Sequence, residues 1–188
     1  MTDIIFHVGF VKTATSTLQK AVFPHLPGIH YLGQPCPDLT SYEMIHAICD
    51  PVSSASWREN AAWDYERTKE FFAENAKGNM TTLVSYEGYT SHKTKDKTQT
   101  AERIKSLFPG AKIIFTLRRQ PDLVKSWYLQ KLKQHANSYE PFDDWVTAGL
   151  ADPQNSIFGD IDFNGIISTY ESLFGAENIG IFLYEELR

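Results

Sequence analysis

Cysteine is scarce in this chain: Cys36 and Cys49 are the only two, and their spacing fits neither a metal-ligand set nor a redox pair. A disulfide between them stays open, but two reduced thiols in a cytoplasmic protein is the simpler reading. Long apolar runs are missing as well. No stretch reaches the length of a membrane span, and Asp3 breaks the N-terminus where a secretory signal needs its apolar segment. Positive charge is in deficit, with 18 Lys and Arg against 23 Asp and Glu and a net charge of −5, so nothing points to a nucleic-acid binder or a basic membrane-surface patch. An acidic protein that holds an anion has to do so with local, well-placed donors. There is no internal repeat, no low-complexity tract and no linker that would divide the chain. Aromatic residues, by contrast, are plentiful: twelve Phe, nine Tyr and four Trp in 188 residues argue for a substantial core rather than disorder. The length fits a single domain over residues 1–188.

Short apolar runs set the framework. Ile4-Ile5-Phe6 reads as a buried strand, Met80 to Tyr86 as a second, Ala111 to Leu117 as a third and Ile179 to Tyr184 as a fourth; Ile29 to Leu32 is a further short candidate. Helical spacing lies between them. The first helix carries Leu18, Ala21 and Val22 and ends at Pro24, Pro27 and Gly28. Residues 40–49 follow with Tyr42, Ile45 and Ile48 or Cys49, then about Trp57 to Lys77 with Phe71 and Phe72 on its apolar face. After a polar, lysine-rich stretch from Ser91 to Thr100, a helix turns Ala101, Ile104, Leu107 and Phe108 inward. Three more are expected: one with Leu123, Val124, Trp127, Tyr128 and Leu132 on one side, one over Pro141 to Leu150, and an amphipathic one through Phe163, Ile166, Tyr170 and Phe174. Strands alternating with helices predict an α/β fold, a three-layer parallel β-sheet with helices on both faces. Ligands in such sheets bind beyond the C-terminal ends of the strands. The polar residues that follow the strands therefore matter most: Lys12 and its neighbouring hydroxyls, Glu87, the Arg118-Arg119 pair, and Glu185.

The stretch from His7 to Gln19 is strand, tight turn, helix. After Gly9 the apolar pattern stops, and Lys12 is followed by Thr13, Ala14, Thr15, Ser16 and Thr17. Free N–H groups, the helix dipole and a lysine at one helix start make an anion site. It is not a Walker A loop, which needs a second glycine directly before Lys-Ser/Thr; a kinase or other NTPase is disfavoured. Gly9-x-x-Lys12-Thr13-Ala14-Thr15-Ser16-Thr17-Leu18 resembles the 5′-phosphosulfate loop of sulfotransferases that use 3′-phosphoadenosine 5′-phosphosulfate (PAPS), whose form is close to G-x-P-K-S/T-G-T-T-x-L. Val11 stands where proline is usual and Ala14 where glycine is usual.

A second stretch, Leu117 to Ser126, resembles that family's 3′-phosphate motif: an arginine after a strand and a serine eight residues later on the next helix. Matched on Asp122 and Ser126, the arginine is Arg118; because Pro121 comes one place later than in the family, Arg119 stays an alternative. The pairing is chemically sound, since a guanidinium presents a fork to phosphate and a first-turn hydroxyl adds a hydrogen bond. The resemblance implies a P-loop NTPase-like sulfotransferase fold, PAPS as co-substrate, no metal, and in-line transfer of a sulfonyl group to a hydroxyl or amine of a small-molecule or carbohydrate acceptor. It also implies that Lys12, with Thr15, Ser16 and Thr17, supports the leaving 5′-phosphate. A base must take the acceptor's proton. Position favours Glu87, at the end of the second strand; His92, in the loop after it, and His30 are the alternatives.

Plainer readings stand beside these. Lys12 and the hydroxyls could be a solvated helix cap, Arg118 could pair with Asp122, Glu87-Gly88 could be a turn, and Lys93, Lys95 and Lys97 a solvated loop. His7, inside a strand, reads as a packed core histidine, and Glu185 as structural. Sulfotransferase domains usually continue past the strand that ends in Tyr-Glu into a basic lid over the 3′-phosphate, so the resemblance implies a truncated or reduced member. A non-catalytic module of the same fold and a P-loop small-molecule kinase are the competing readings. The acceptor pocket is expected in residues 33–60, 88–100 and 134–160, with Trp57, Trp63, Tyr89 and Trp145 as candidate walls.

Overall fold

The computed structural model describes residues 3–49, 63–92, 94, 96–134 and 139–187. Residues 57–62 of the expected helix, Lys93 and Lys95 lie outside them. Five strands, β1 (Ile4–His7), β2 (Ile29–Gly33), β3 (Thr81–Ser85), β4 (Lys112–Leu117) and β5 (Ile179–Leu183), form one sheet in the order β2-β3-β1-β4-β5, every pair parallel. The chain fills one side of β1 first and then crosses to the other. That reversal leaves a crevice at the C-terminal end of β1, where His7 lies beside Ser85 of β3 and Ile114 of β4.

Seven helices connect the strands among the described residues: α1 (Thr15–Thr17), α2 (Leu39–Ala47), α3 (Tyr65–Glu74), α4 (Lys97–Leu107), α5 (Gln120–Gln134), α6 (Phe142–Ala151) and α7 (Phe163–Phe174). Alternation along β1 serves both faces of the sheet. Phe6 packs against Phe72 of α3 and Phe108 beyond α4, and Phe115 of β4 meets Tyr170 of α7. His7 points the other way, edge-on to Phe23 after α1.

Helix starts follow a local rule. Asp38, Asp64, Asp96 and Asp162 each accept the backbone N–H three residues on, at 2.7 to 3.0 Å, and cap α2, α3, α4 and α7. Hence α3 starts at Tyr65, not near Trp57, and α4 at Lys97, before the expected Ala101. Asp64→Ala is expected to remove about 1 kcal/mol and lower Tm by about 2–4 °C, measurable by thermal unfolding. The first helix differs most from expectation. After one α turn it widens to a π turn over Leu18–Val22 and then a 3-10 turn over Phe23–His25. Pro24 lies at the start of that last turn, where the N–H it lacks would have no helical partner. The strand expected over Ile179 to Tyr184 is an edge strand, with Ile181 and Phe182 each 47% exposed. Both cysteines are free, and burial, with Asp38 second, pushes the Cys36 thiol up to about 11.

Candidate functional site

The loop between β1 and α1 lies over the crevice, and the protein holds it by its carbonyls. Thr90, in the turn after β3, donates from Oγ1 to Gly9 O at 2.6 Å and lies 3.2 Å from Val8 O. Thr13 Oγ1 donates to Phe10 O at 2.6 Å, and Arg118 Nη1 donates to Lys12 O at 3.2 Å. Ala14 O receives the N–H groups of Thr17 and Leu18. With the carbonyls engaged, the N–H groups of Lys12, Ala14, Thr15 and Ser16 have no acceptor among the described residues. A loop with its carbonyls turned to the protein and its donors unpaired suits an anion.

Backbone shape carries the same message. Lys12 and Ala14 have φ of 66° and 68°, a left-handed geometry that non-glycine residues adopt at a cost of about 1–2 kcal/mol. Gly9 has φ of 44°, and a Cβ there would lie 2.9 Å from Thr15 Cγ2. Ala14→Gly is expected to raise stability by up to about 1 kcal/mol, the relief of strain being partly offset by a freer unfolded chain. Urea unfolding reads this directly, and a destabilised Ala14→Gly protein would contradict the strain argument.

Beneath the loop runs a chain of buried hydrogen bonds. Gln19 Nε2 donates to Ser85 Oγ at 3.1 Å, and Ser85 Oγ lies 2.8 Å from His7 Nδ1. His7 Nε2 lies 3.2 Å from Thr116 Oγ1, which is 2.8 Å from Thr13 Oγ1. An amide nitrogen at one end can only donate and Phe10 O at the other can only accept. Read back from Phe10 O, Thr13 donates to Phe10, Thr116 to Thr13 and His7 Nε2–H to Thr116, so His7 carries a hydrogen on Nε2, and in its neutral form Nδ1 accepts from Ser85. Burial lowers its pKa from 6.5 to about 4. The expectation of a core histidine holds, but Gln19, Ser85 and Thr116 were not anticipated; isolated hydroxyls and amides in apolar stretches give no pattern.

One cleft of about 1030 Å³ gathers most of the residues singled out: Lys12, Ala14, Thr15, Ser16, Thr17, Glu87, His92, Arg118 and Ser126. Thr13 is not brought to it; its side chain is fully buried and turned to Phe10 and Thr116, so only its backbone belongs to the loop face. The Lys12 ammonium has no ion-pair partner among the described residues. Arg118 stacks 4.5 Å over the Tyr184 ring, and its Nε is buried without a hydrogen-bond partner. Arg119 faces away, 73% exposed, and pairs with Asp122 at 2.8 Å and with Glu185. It is therefore Arg119, not Arg118, that engages Asp122, and Glu185 ties the ends of β4 and β5 together. Glu87 accepts a hydrogen bond from Thr15 Oγ1. His92 Nδ1 lies 2.9 Å from Asp160 Oδ2. His30 sits within edge strand β2 beside Thr82, away from this cleft, its pKa lowered by burial and then by Lys77. Tyr89 is fully buried, donating to Ile45 O at 3.0 Å, whereas Trp145 lines the cleft.

Among the described residues no cluster of His, Cys, Asp and Glu could hold a metal, and no helix is long and apolar enough to cross a membrane. No family model matches the chain, and no curated protein matches its sequence. Its fold is similar to the crystal structure of a sulfotransferase from Alicyclobacillus acidocaldarius, with a TM-score of 0.69 and 19% identity over 100% of this chain and 75% of that one. The architecture is thus α/β of the sulfotransferase type.

Proposed function

We propose that this chain is a PAPS-dependent sulfotransferase that moves a sulfonyl group to a hydroxyl or amine of a small-molecule or carbohydrate acceptor. The observation that carries the reading is the junction of the two motifs. Arg118, 106 residues from Lys12, donates to its carbonyl and lines the same cleft as Ser126 and the hydroxyls of the loop. Two anion-binding groups in one cleft suit a nucleotide phosphorylated at both its 5′ and 3′ positions. The buried, unpartnered Arg118 Nε and the unpaired Lys12 are the donors such a ligand needs.

When bound, PAPS supplies a sulfonyl group already activated on its 5′-phosphate. The chain's part is positioning and charge stabilisation. Lys12 and the loop N–H groups hold the 5′ end and offset charge that develops on the leaving oxygen. Arg118 and Ser126 hold the 3′-phosphate and so fix the register of the nucleotide. Glu87, bonded to Thr15, steadies the loop from the β3 side.

Thermal shift tests the reading. At a hundred times its Kd, 3′-phosphoadenosine 5′-phosphate is expected to stabilise the fold by about 2.7 kcal/mol and to raise Tm by roughly 5–10 °C; ATP with magnesium is expected to do much less. Stabilisation by ATP and magnesium alone would support a small-molecule kinase. Nucleotide binding without transfer to any acceptor would support a binding module of this fold.

A further inference from the structure

A second cleft, also of about 1030 Å³, opens between the start of α4, residues 153–161 and the middle of α7, and His92 and Thr94 line both clefts. Its walls include apolar Phe158, Ile161 and Ile166, and also Tyr170, whose buried hydroxyl has no hydrogen-bond partner. The carboxylates lining it, Asp96 and Asp162, cap α4 and α7. Among its described lining residues these two carboxylates stand against one ammonium, Lys97, which is already paired with Asp160, so the pocket suits an apolar body bearing a neutral polar group better than an anion.

His92 is fixed at the junction by a buried carboxylate. Asp160 is 1% exposed; its Oδ2 lies 2.9 Å from His92 Nδ1 and its Oδ1 2.9 Å from Lys97 Nζ. A carboxylate only accepts, so Nδ1 carries a proton, and it is the neutral imidazole that offers the Nε2 lone pair as a base. Nε2 has no partner among the described residues. Lys97 compensates the buried charge, and a buried carboxylate needs such a partner. Glu87, by contrast, is already engaged with Thr15.

We propose that the second cleft receives the acceptor, a neutral hydroxyl compound with an apolar body, and that His92 takes its proton, with Asp160 as a positioning residue. The proposal rests on the sulfotransferase reading. The acceptor oxygen bonds to sulfur as the bond from sulfur to the 5′-phosphate oxygen breaks, and that electron pair leaves on the phosphate beside Lys12. The acceptor's proton moves to Nε2, and the imidazolium formed sits against Asp160.

Transfer from PAPS to 2-naphthol is the test, read beside nucleotide binding. His92→Gln and Asp160→Asn are each expected to lower kcat about a hundredfold, within the usual range for a positioned base, because the second leaves the proton on Nε2. Thr169→Trp, which fills the second cleft, is expected to raise KM for 2-naphthol about tenfold with kcat little changed. All three variants keep affinity for 3′-phosphoadenosine 5′-phosphate within about twofold, since none touches the nucleotide-holding residues. Anionic 4-hydroxybenzoate is expected to be about tenfold poorer than 2-naphthol. The 15N spectrum of His92 separates positioning from mere structure. Because Lys97 demands the oxygen of an asparagine at 160, the amide nitrogen faces Nδ1, and Asp160→Asn shifts the proton to Nε2. An unchanged tautomer, full activity in His92→Gln, loss confined to Glu87→Gln, or neither binding nor transfer of 2-naphthol overturns the proposal. Failure of the wild-type protein to bind the nucleotide overturns the sulfotransferase reading instead.

Discussion

Arg118→Ala is expected to weaken binding of 3′-phosphoadenosine 5′-phosphate about a hundredfold, whereas Arg119→Ala leaves it within about twofold. A hydrogen bond to a charged group contributes about 1.5–3 kcal/mol, and a hundredfold is about 2.7 kcal/mol. The two arginines are adjacent in sequence but not in environment. Arg118 lies over Tyr184 with Nη1 on the Lys12 carbonyl, so its removal also releases the loop. Arg119 is spent on Asp122 and Glu185 at the surface, where ion pairs contribute little. Arg118→Lys keeps the charge but loses the fork, and should fall between the two. Isothermal titration of the three variants decides the matter; equal losses in Arg118→Ala and Arg119→Ala would remove Arg118 from the site.

Acidification is expected to destabilise the fold through His7. Its pKa is lowered from 6.5 to about 4 by burial, so between those values the unfolded chain binds a proton that the folded protein does not. Stability from this group is complete above pH 6.5, declines by about 1.4 kcal/mol per pH unit below it, and is about 3 kcal/mol lower by pH 4. Protonation would also break the chain from Gln19 to Phe10, because Nδ1 could no longer accept from Ser85. Urea unfolding between pH 7 and 4.5 measures the slope. In His7→Gln the slope should be smaller by up to one proton; identical slopes would mean that another group titrates.

Much of the fold was legible because its signals are local. Apolar period and length mark all five strands and the helices, and the capping aspartates Asp64 and Asp96 mark helix starts that the apolar pattern alone misplaces. The π turn over Leu18–Val22 has no such signature. Nor does Asp160, a lone acid between Gly159 and Ile161, announce that it backs a histidine 68 residues away.

By itself the sequence determined the layered parallel α/β architecture and the two phosphate-like motifs, for strand, helix and turn preferences act over a few residues. Only the tertiary structure decided that Arg118 faces the cleft and Arg119 does not, that Thr13 is turned into the core, and that His7 and Thr116, 109 residues apart, hold the loop from below. Those outcomes depend on the order β2-β3-β1-β4-β5, which brings the ends of β3 and β4 to either side of β1. Strand order is a property of the whole packed chain, and no short stretch of residues records it.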